Sequence, residues 1–118
     1  MEMVDVTAGV RRVVKEAGVE RGVCHLFVPH TTAAITINEN ADSSGRHEML
    51  QELLKTVPAP EDAGGESQVP HVLSSLVGPS EHVLVDDGRL VLGTWQAIYL
   101  CEFDGPRARN VHLRVSAD

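Results

Sequence analysis

Val23-Cys24-His25-Leu26-Phe27-Val28, stopped by Pro29, and then Ala33-Ala34-Ile35-Thr36-Ile37-Asn38 decide the fold. The first run is apolar and β-branched and stops at a proline, so it reads as a strand. The second alternates: Ile35 and Ile37 face one side, Ala34, Thr36 and Asn38 the other. Ahead of this pair, Val10, Val13, Val14 and Ala17 recur at i, i+3, i+4 and i+7, one face of a helix. Asp5 or Thr7 can cap it through a side-chain oxygen, and Gly18 suits its left-handed end. Behind the pair, Asp42 or Ser43 starts a second helix. Its buried stripe is Met49, Leu50, Leu53, Leu54 and Val57, and Glu48 and Glu52 lie outside.

Pro58 and Pro60 end that helix. Pro58 to Pro70 has almost nothing to bury and reads as a long surface loop, the kind that carries function or mobility. Pro70 suits the first turn of a short helix, His71 to Val77, closed by Gly78. The last third reads as a meander. Val83 to Asp86 and Arg89 to Leu92 flank a tight Asp87-Gly88 turn. Trp95 to Phe103 is the longest strand, and Asn110 to Val115 closes the sheet. Helices segregated from antiparallel strands predict the α+β class, in a single domain over residues 1–118.

Composition sets the limits. The chain has 118 residues and 3% aromatics, so its core is aliphatic and small, and subunit association is expected to complete it. A formal net charge of −7 and the lack of any Lys/Arg run argue against nucleic acid and anionic membrane. No apolar run approaches the ~18–20 residues of a membrane span. Met1 leads directly into Glu2 and Asp5, without a basic or apolar leader pattern. Cys24 and Cys101 stand alone, outside any CxxC spacing. The expectation is a reduced, soluble, cytoplasmic protein.

Three constellations can carry chemistry. Asn38, Asn40 and Asp42 recur every second residue, so a continuing strand would point all three one way, beside a helix start that suits phosphate; equally, they can make a turn and a cap. His30, His47 and His71 each sit near an element end. Three neutral imidazoles with an open position suit a zinc-type ion, although no compact zinc signature is present and the fold would have to assemble the site. His25, His82 and His112 read as exposed or satisfied strand residues. In Leu92-Gly93-Thr94-Trp95-Gln96, Gly93 marks a bulge or close approach that could present Trp95 and Gln96. Glu102, on an apolar strand face, must meet an arginine, a metal, a ligand or a subunit boundary; Arg107 and Arg109 are the candidate partners. Ser74 and Ser75 share a helical face with His71 and read as pocket-lining hydroxyls or, less simply, a Ser–His pair.

His30 to Asp42, Pro70 to Gly78 and Leu92 to Arg107 together resemble the YjbQ-like family, whose members are regarded as secondary thiamine-phosphate synthases. The resemblance spans nearly the whole chain. It implies a β-sandwich with two main helices and one short helix, assembled as a homotrimer, and a polar histidine site near a subunit boundary with metal in some members. It puts the motif histidines on His30, His47 and His71, the polar strand residues on Asn38, Asn40 and Asp42, and the later motif on Gly93, Thr94, Trp95, Gln96 and Glu102. It also implies a further strand before the first helix. With Met1 so near the helix cap, that strand is either reduced to Met3-Val4 or missing, and a missing strand leaves a sheet edge open.

The function implied is an auxiliary thiamine-phosphate synthase acting on small phosphorylated substrates. His30, Asp42 and Glu102 are the candidate catalytic groups. Asn38, Asn40, Ser74, Ser75, Thr94, Trp95 and Gln96 are the candidate ligand contacts. His30, His47 and His71 are the candidate holders of a divalent metal, zinc, with magnesium an option beside diphosphate. Two alternatives stand: a metal-dependent hydrolase of a small phosphoester or amide with Glu102 or Asp42 as base, and a non-enzymatic trimeric metal- or ligand-binding protein.

Overall fold

The computed structural model describes residues 1–58 and 67–118. Among these, the chain runs β1 (Glu2–Asp5), α1 (Thr7–Ala17), β2 (Gly22–Phe27), β3 (Ala33–Glu39), α2 (Ser43–Lys55), α3 (Val69–Val77), β4 (Ser80–Asp86), β5 (Arg89–Leu90), β6 (Gln96–Glu102) and β7 (His112–Ala117). Most of the loop expected over Pro58 to Pro70 lies outside the described residues. The strands form two antiparallel sheets, ordered β1-β6-β3 and β5-β4-β2-β7. The α+β class is borne out. No helix among the described residues is long and apolar enough to cross a membrane.

Two cores share the first sheet. Between the sheets, Val10 and Val14 of α1 pack with Cys24, Leu26, Ile35, Val83, Val85 and Ile98. On its other face, Ala34, Ala97, Tyr99, Cys101 and Phe103 meet Leu50 of α2 and Leu73 of α3. β3 and β6 are thus covered on both faces. That is why Ala33-Ala34-Ile35 and Ala97-Ile98-Tyr99 are buried without alternation. The second sheet turns its other face outward, with His25, Phe27, His82, Leu84, His112 and Arg114 exposed.

This layering corrects the meander. β6 does not extend the β4–β5 hairpin; it lies between β1 and β3, and β7 pairs with β2. A strand apolar on both faces belongs between two cores rather than at a sheet's solvent side. The strand before α1 is present: β1 pairs residue by residue with β6, Met3 with Cys101 and Val4 with Leu100, and covers that edge. Asp5 holds the start of α1, accepting from the Thr7 N–H at 2.9 Å and the Thr7 hydroxyl at 2.6 Å. The Thr7 hydroxyl in turn accepts from Ile98 N–H at 2.9 Å, tying the helix to β6.

The apolar face of α1 is narrower than its spacing predicts, for Val13 and Ala17 are exposed and Thr7, Val10 and Val14 are buried. In α2 only Leu50 is buried; Met49, Leu53, Leu54 and Val57 are half-buried. Gly18 ends α1 at φ 67°. Asp87 and Gly88 carry φ of 55° and 73°, the pair of positive values a two-residue hairpin of the primed type requires.

Candidate functional site

One end of the first sheet opens into a two-lobed furrow. His30, Thr31 and Thr32 come from the β2–β3 connection, His71 from the start of α3, and Asp104, Arg107 and Arg109 from the β6–β7 connection. With Pro29 they line a cleft of about 440 Å³. An adjoining cavity of about 340 Å³ shares His30, Thr31 and His71 and adds Ala33, Ser74, Ser75 and Pro79.

Glu102, at the end of β6, lies beneath this furrow and is not offered to it as a free base. Arg109 grips both of its oxygens: Nε to Oε2 at 2.6 Å and Nη2 to Oε1 at 2.6 Å. Oε1 also accepts from the Asp104 N–H at 2.9 Å. Nη2 of Arg109 reaches on to the Thr32 hydroxyl at 2.7 Å and its carbonyl at 3.2 Å. Hydrogen bonds from Arg109 hold the carboxyl below its usual range against the opposing effect of burial, and Glu102 in turn raises Arg109. Gly105 has to be a glycine here, because a Cβ would stand 2.7 Å from Glu102 Cγ. The expectation that Glu102 acts as a base gives way to an ion pair that positions Arg109 and Thr32.

The other groups divide sharply. His30 Nε2 accepts from the Asn110 N–H at 2.9 Å, which orients the ring and leaves Nδ1 unengaged. Ser75 donates to the His71 carbonyl at 3.1 Å. Ser74 is 8% exposed, and its hydroxyl has no hydrogen-bond partner among the described residues. Arg107 pairs with Asp104 at 2.9 Å, in an exposed setting.

The remaining candidates stand elsewhere. β3 ends at Glu39, so Asn38, Asn40 and Asp42 do not line one face. Asn38 accepts from the next residue's N–H at 2.8 Å, and Asp42 caps α2 by accepting from Gly45 N–H at 2.8 Å. Asn40 N–H donates to the Trp95 carbonyl at 2.7 Å. Thr94 and Trp95 form an exposed turn leading into Gln96 at the start of β6, closed by Gly93 N–H donating to Gln96 Oε1 at 2.8 Å. The register pairs Ala33 with Glu102 and Glu39 with Gln96. These polar residues therefore lie the length of β3, roughly 20 Å, from the furrow.

His47 is apart from both, in a cavity with Met1, Glu2, Met3, Ser43, Arg46 and Leu50. Among the described residues no three His, Cys, Asp or Glu side chains are placed to hold one ion. The three-histidine metal centre is thus not formed within one chain. His30 moreover gives its Nε2 lone pair to the Asn110 N–H, which leaves Nδ1 as the ring nitrogen a metal would have to use.

Sequence reasoning gave no role to Thr32, Asn110 or Tyr99. The first two act through backbone and hydroxyl contacts that no spacing marks. Tyr99 is fully buried; its hydroxyl donates to the Glu39 carbonyl at 2.8 Å and accepts from Ala41 N–H at 3.1 Å, fixing the β3–α2 connection. A lone tyrosine in an aliphatic strand was the available signal, since a buried hydroxyl needs partners.

The profile of the family described as "UPF0047 protein YjbQ-like" matches residues 1–118. The UPF0047 protein YugU of Bacillus subtilis is 44% identical over 117 residues, 97% of this chain and 89% of that protein. A UPF0047 protein of Methanocaldococcus jannaschii is 42% identical over 120 residues, 99% of this chain and 86% of that protein. Among solved structures, an uncharacterized conserved protein of the YjbQ/UPF0047 family from Clostridium acetobutylicum superposes with a TM-score of 0.89 at 42% identity, over 98% of this chain and 91% of that one. A hypothetical protein from Aeropyrum pernix superposes with a TM-score of 0.90 at 30% identity, over 99% of this chain and 90% of that one.

Proposed function

The chain belongs to the YjbQ-like UPF0047 family, and on that premise we propose that it is an auxiliary thiamine-phosphate synthase. It joins hydroxymethylpyrimidine diphosphate to thiazole phosphate: a carbon–nitrogen bond forms as the carbon–oxygen bond to diphosphate breaks. Such a reaction is accelerated by holding two substrates together and stabilising the charge that gathers on the leaving diphosphate.

The observation that carries this reading is the furrow, where His30, His71, Arg107 and Arg109 surround one polar cleft and Ser74 borders the adjoining cavity with its hydroxyl buried and unpartnered among the described residues. Arg107 is the cation free to answer a phosphate. Its pair with Asp104 is exposed, and such pairs are worth about 0–1 kcal/mol, so a diphosphate can displace the carboxylate. Arg109 stays bound to Glu102 and shapes the cleft wall. His30 offers Nδ1, the ring nitrogen that Asn110 leaves unengaged, and Ser74 brings a buried hydroxyl without a partner among the described residues.

A homotrimer is part of the proposal. Trp95 is 76% exposed beside the Asn38–Asp42 segment, and an exposed indole of this kind suits burial against another subunit. Docking that end on a neighbour's furrow joins the polar residues to His30 and His71. A divalent cation, zinc or magnesium, would be carried in by the diphosphate and take its protein donors across the subunit boundary, since the described residues of one chain do not gather three.

The test is synthesis of thiamine phosphate from the two precursors by the purified chain with magnesium, alongside rescue of a synthase-deficient host. His30→Ala and His71→Ala are expected to lower the rate by about 10²-fold or more. Sedimentation is expected to give three copies. No product in either assay overturns the synthase reading, and a monomer overturns the shared site.

A further inference from the structure

The outward face of the second sheet carries two histidines directly opposite each other. The β2–β4 register pairs His25 with His82, and both are exposed. Hydrogen bonding along the ladder fixes what kind of pair they are. Val28 N–H donates to the Pro79 carbonyl at 2.7 Å, one step beyond the Phe27–Ser80 pair. Bonded and non-bonded pairs alternate in an antiparallel ladder, so 28/79 and 26/81 are bonded and 25/82 is non-bonded. In that arrangement the Cα atoms are about 4.5 Å apart and the side chains are at their closest.

We propose that His25 and His82 form a site for a divalent transition cation on this face, each giving one imidazole nitrogen and water completing the coordination. Side chains rising in parallel from a non-bonded pair need only tilt to bring one nitrogen each to about 2.0–2.1 Å from a zinc ion. Imidazole is a favoured ligand for zinc, copper and nickel, while calcium and magnesium prefer oxygen. Among the described residues neither histidine joins an ion pair or a side-chain hydrogen bond. Both are therefore free to turn toward an ion. Phe27 and Leu84, 49% and 58% exposed, flank the pair in the adjoining rows and bring no competing carboxylate.

Two further groups shape the site. His112 lies on the diagonal, paired with Phe27 on β7, but no three donors are placed for one ion among the described residues. Arg114 pairs with His25 from the other side and opposes a bound cation, although its exposed flexible stem lets it swing away. Neither His25 nor His82 lines the furrow, so the two sites can be separated by substitution.

The experiment is titration of the full-length chain with zinc chloride alone, followed calorimetrically and by the imidazole resonances. The wild type is expected to take up an equivalent of zinc that shifts the His25 and His82 signals. His25→Ala and His82→Ala each lose that equivalent while their zinc-free melting temperatures stay unchanged. His71→Ala keeps it, and Arg114→Gln binds zinc more tightly. Wild type that takes up no zinc overturns the proposal. So does His82→Ala binding as wild type does, or an equivalent lost in His71→Ala instead.

Discussion

Arg109 and Glu102 meet through two hydrogen bonds of 2.6 Å each, with side chains only 8% and 9% exposed. The pair closes the loop from β6 to β7 beneath the furrow and carries Thr32 with it. Removing the carboxylate leaves a guanidinium buried without a counter-charge. Glu102→Ala is therefore expected to cost about 3–5 kcal/mol of folding stability, read from urea denaturation. Glu102→Gln, which keeps one acceptor, is expected to cost less. Equal stability of all three chains would refute the structural role.

The same pair sets a pH dependence. Arg109 holds the Glu102 carboxyl below its ordinary value of 4.5. A carboxyl depressed in the folded state contributes stability that is complete above its unfolded value and is lost as pH falls through the folded one. The stability difference between wild type and Glu102→Gln is expected to be flat from neutral pH down to about 5. It should shrink progressively below 4.5. A difference that grows on acidification would reverse the sign and refute the assignment.

Tyr99 fastens the polar segment after β3 from inside the core, bonding both the Glu39 carbonyl and Ala41 N–H. Tyr99→Phe keeps the ring and strands both backbone groups. A loss of about 1–3 kcal/mol is expected, with faster exchange of the Ala41 amide. Unchanged exchange at Ala41 would show that the hydroxyl does not hold this segment.

Both thiols are free and buried. Burial pushes Cys101 up to about 12 and raises Cys24 as well. Only the thiolate reacts with alkylating reagents. At pH 8 the folded chain is expected to resist iodoacetamide at both cysteines, and the unfolded chain to take up two equivalents. Rapid labelling of folded Cys101 would contradict its placement between β1 and β3.

The elements were legible from local pattern. The Asp87-Gly88 turn, the α1 stop at Gly18 and the apolar run of β6 each declare themselves within a few residues. What misled was the reach of that pattern. The i, i+3, i+4 spacing of α1 put Val13 and Ala17 inside, but α1 packs along a narrow seam and both are exposed. Alternation after Ile37 suggested a longer strand, but Asp42 gains more as the cap of α2 and the strand stops at Glu39. For Glu102 the sequence raised both the ion pair and the catalytic base, and the two bonds from Arg109 decide between them.

The sequence by itself determined the α+β class, the family, and which residue types are available for chemistry, because hydrophobic periodicity, turn residues and motifs are local properties. Only the tertiary structure decided who meets whom. β6 entered the middle of the first sheet because it is apolar on both faces and burial there covers both. That placement puts His30, His71 and Arg109 at one end of the sheet and Asn38, Asp42 and Trp95 at the other, roughly 20 Å apart, with His47 in neither group. A register shift of one residue turns a side chain to the opposite face, so such convergence is set by pairing between distant strands, which no local spacing records.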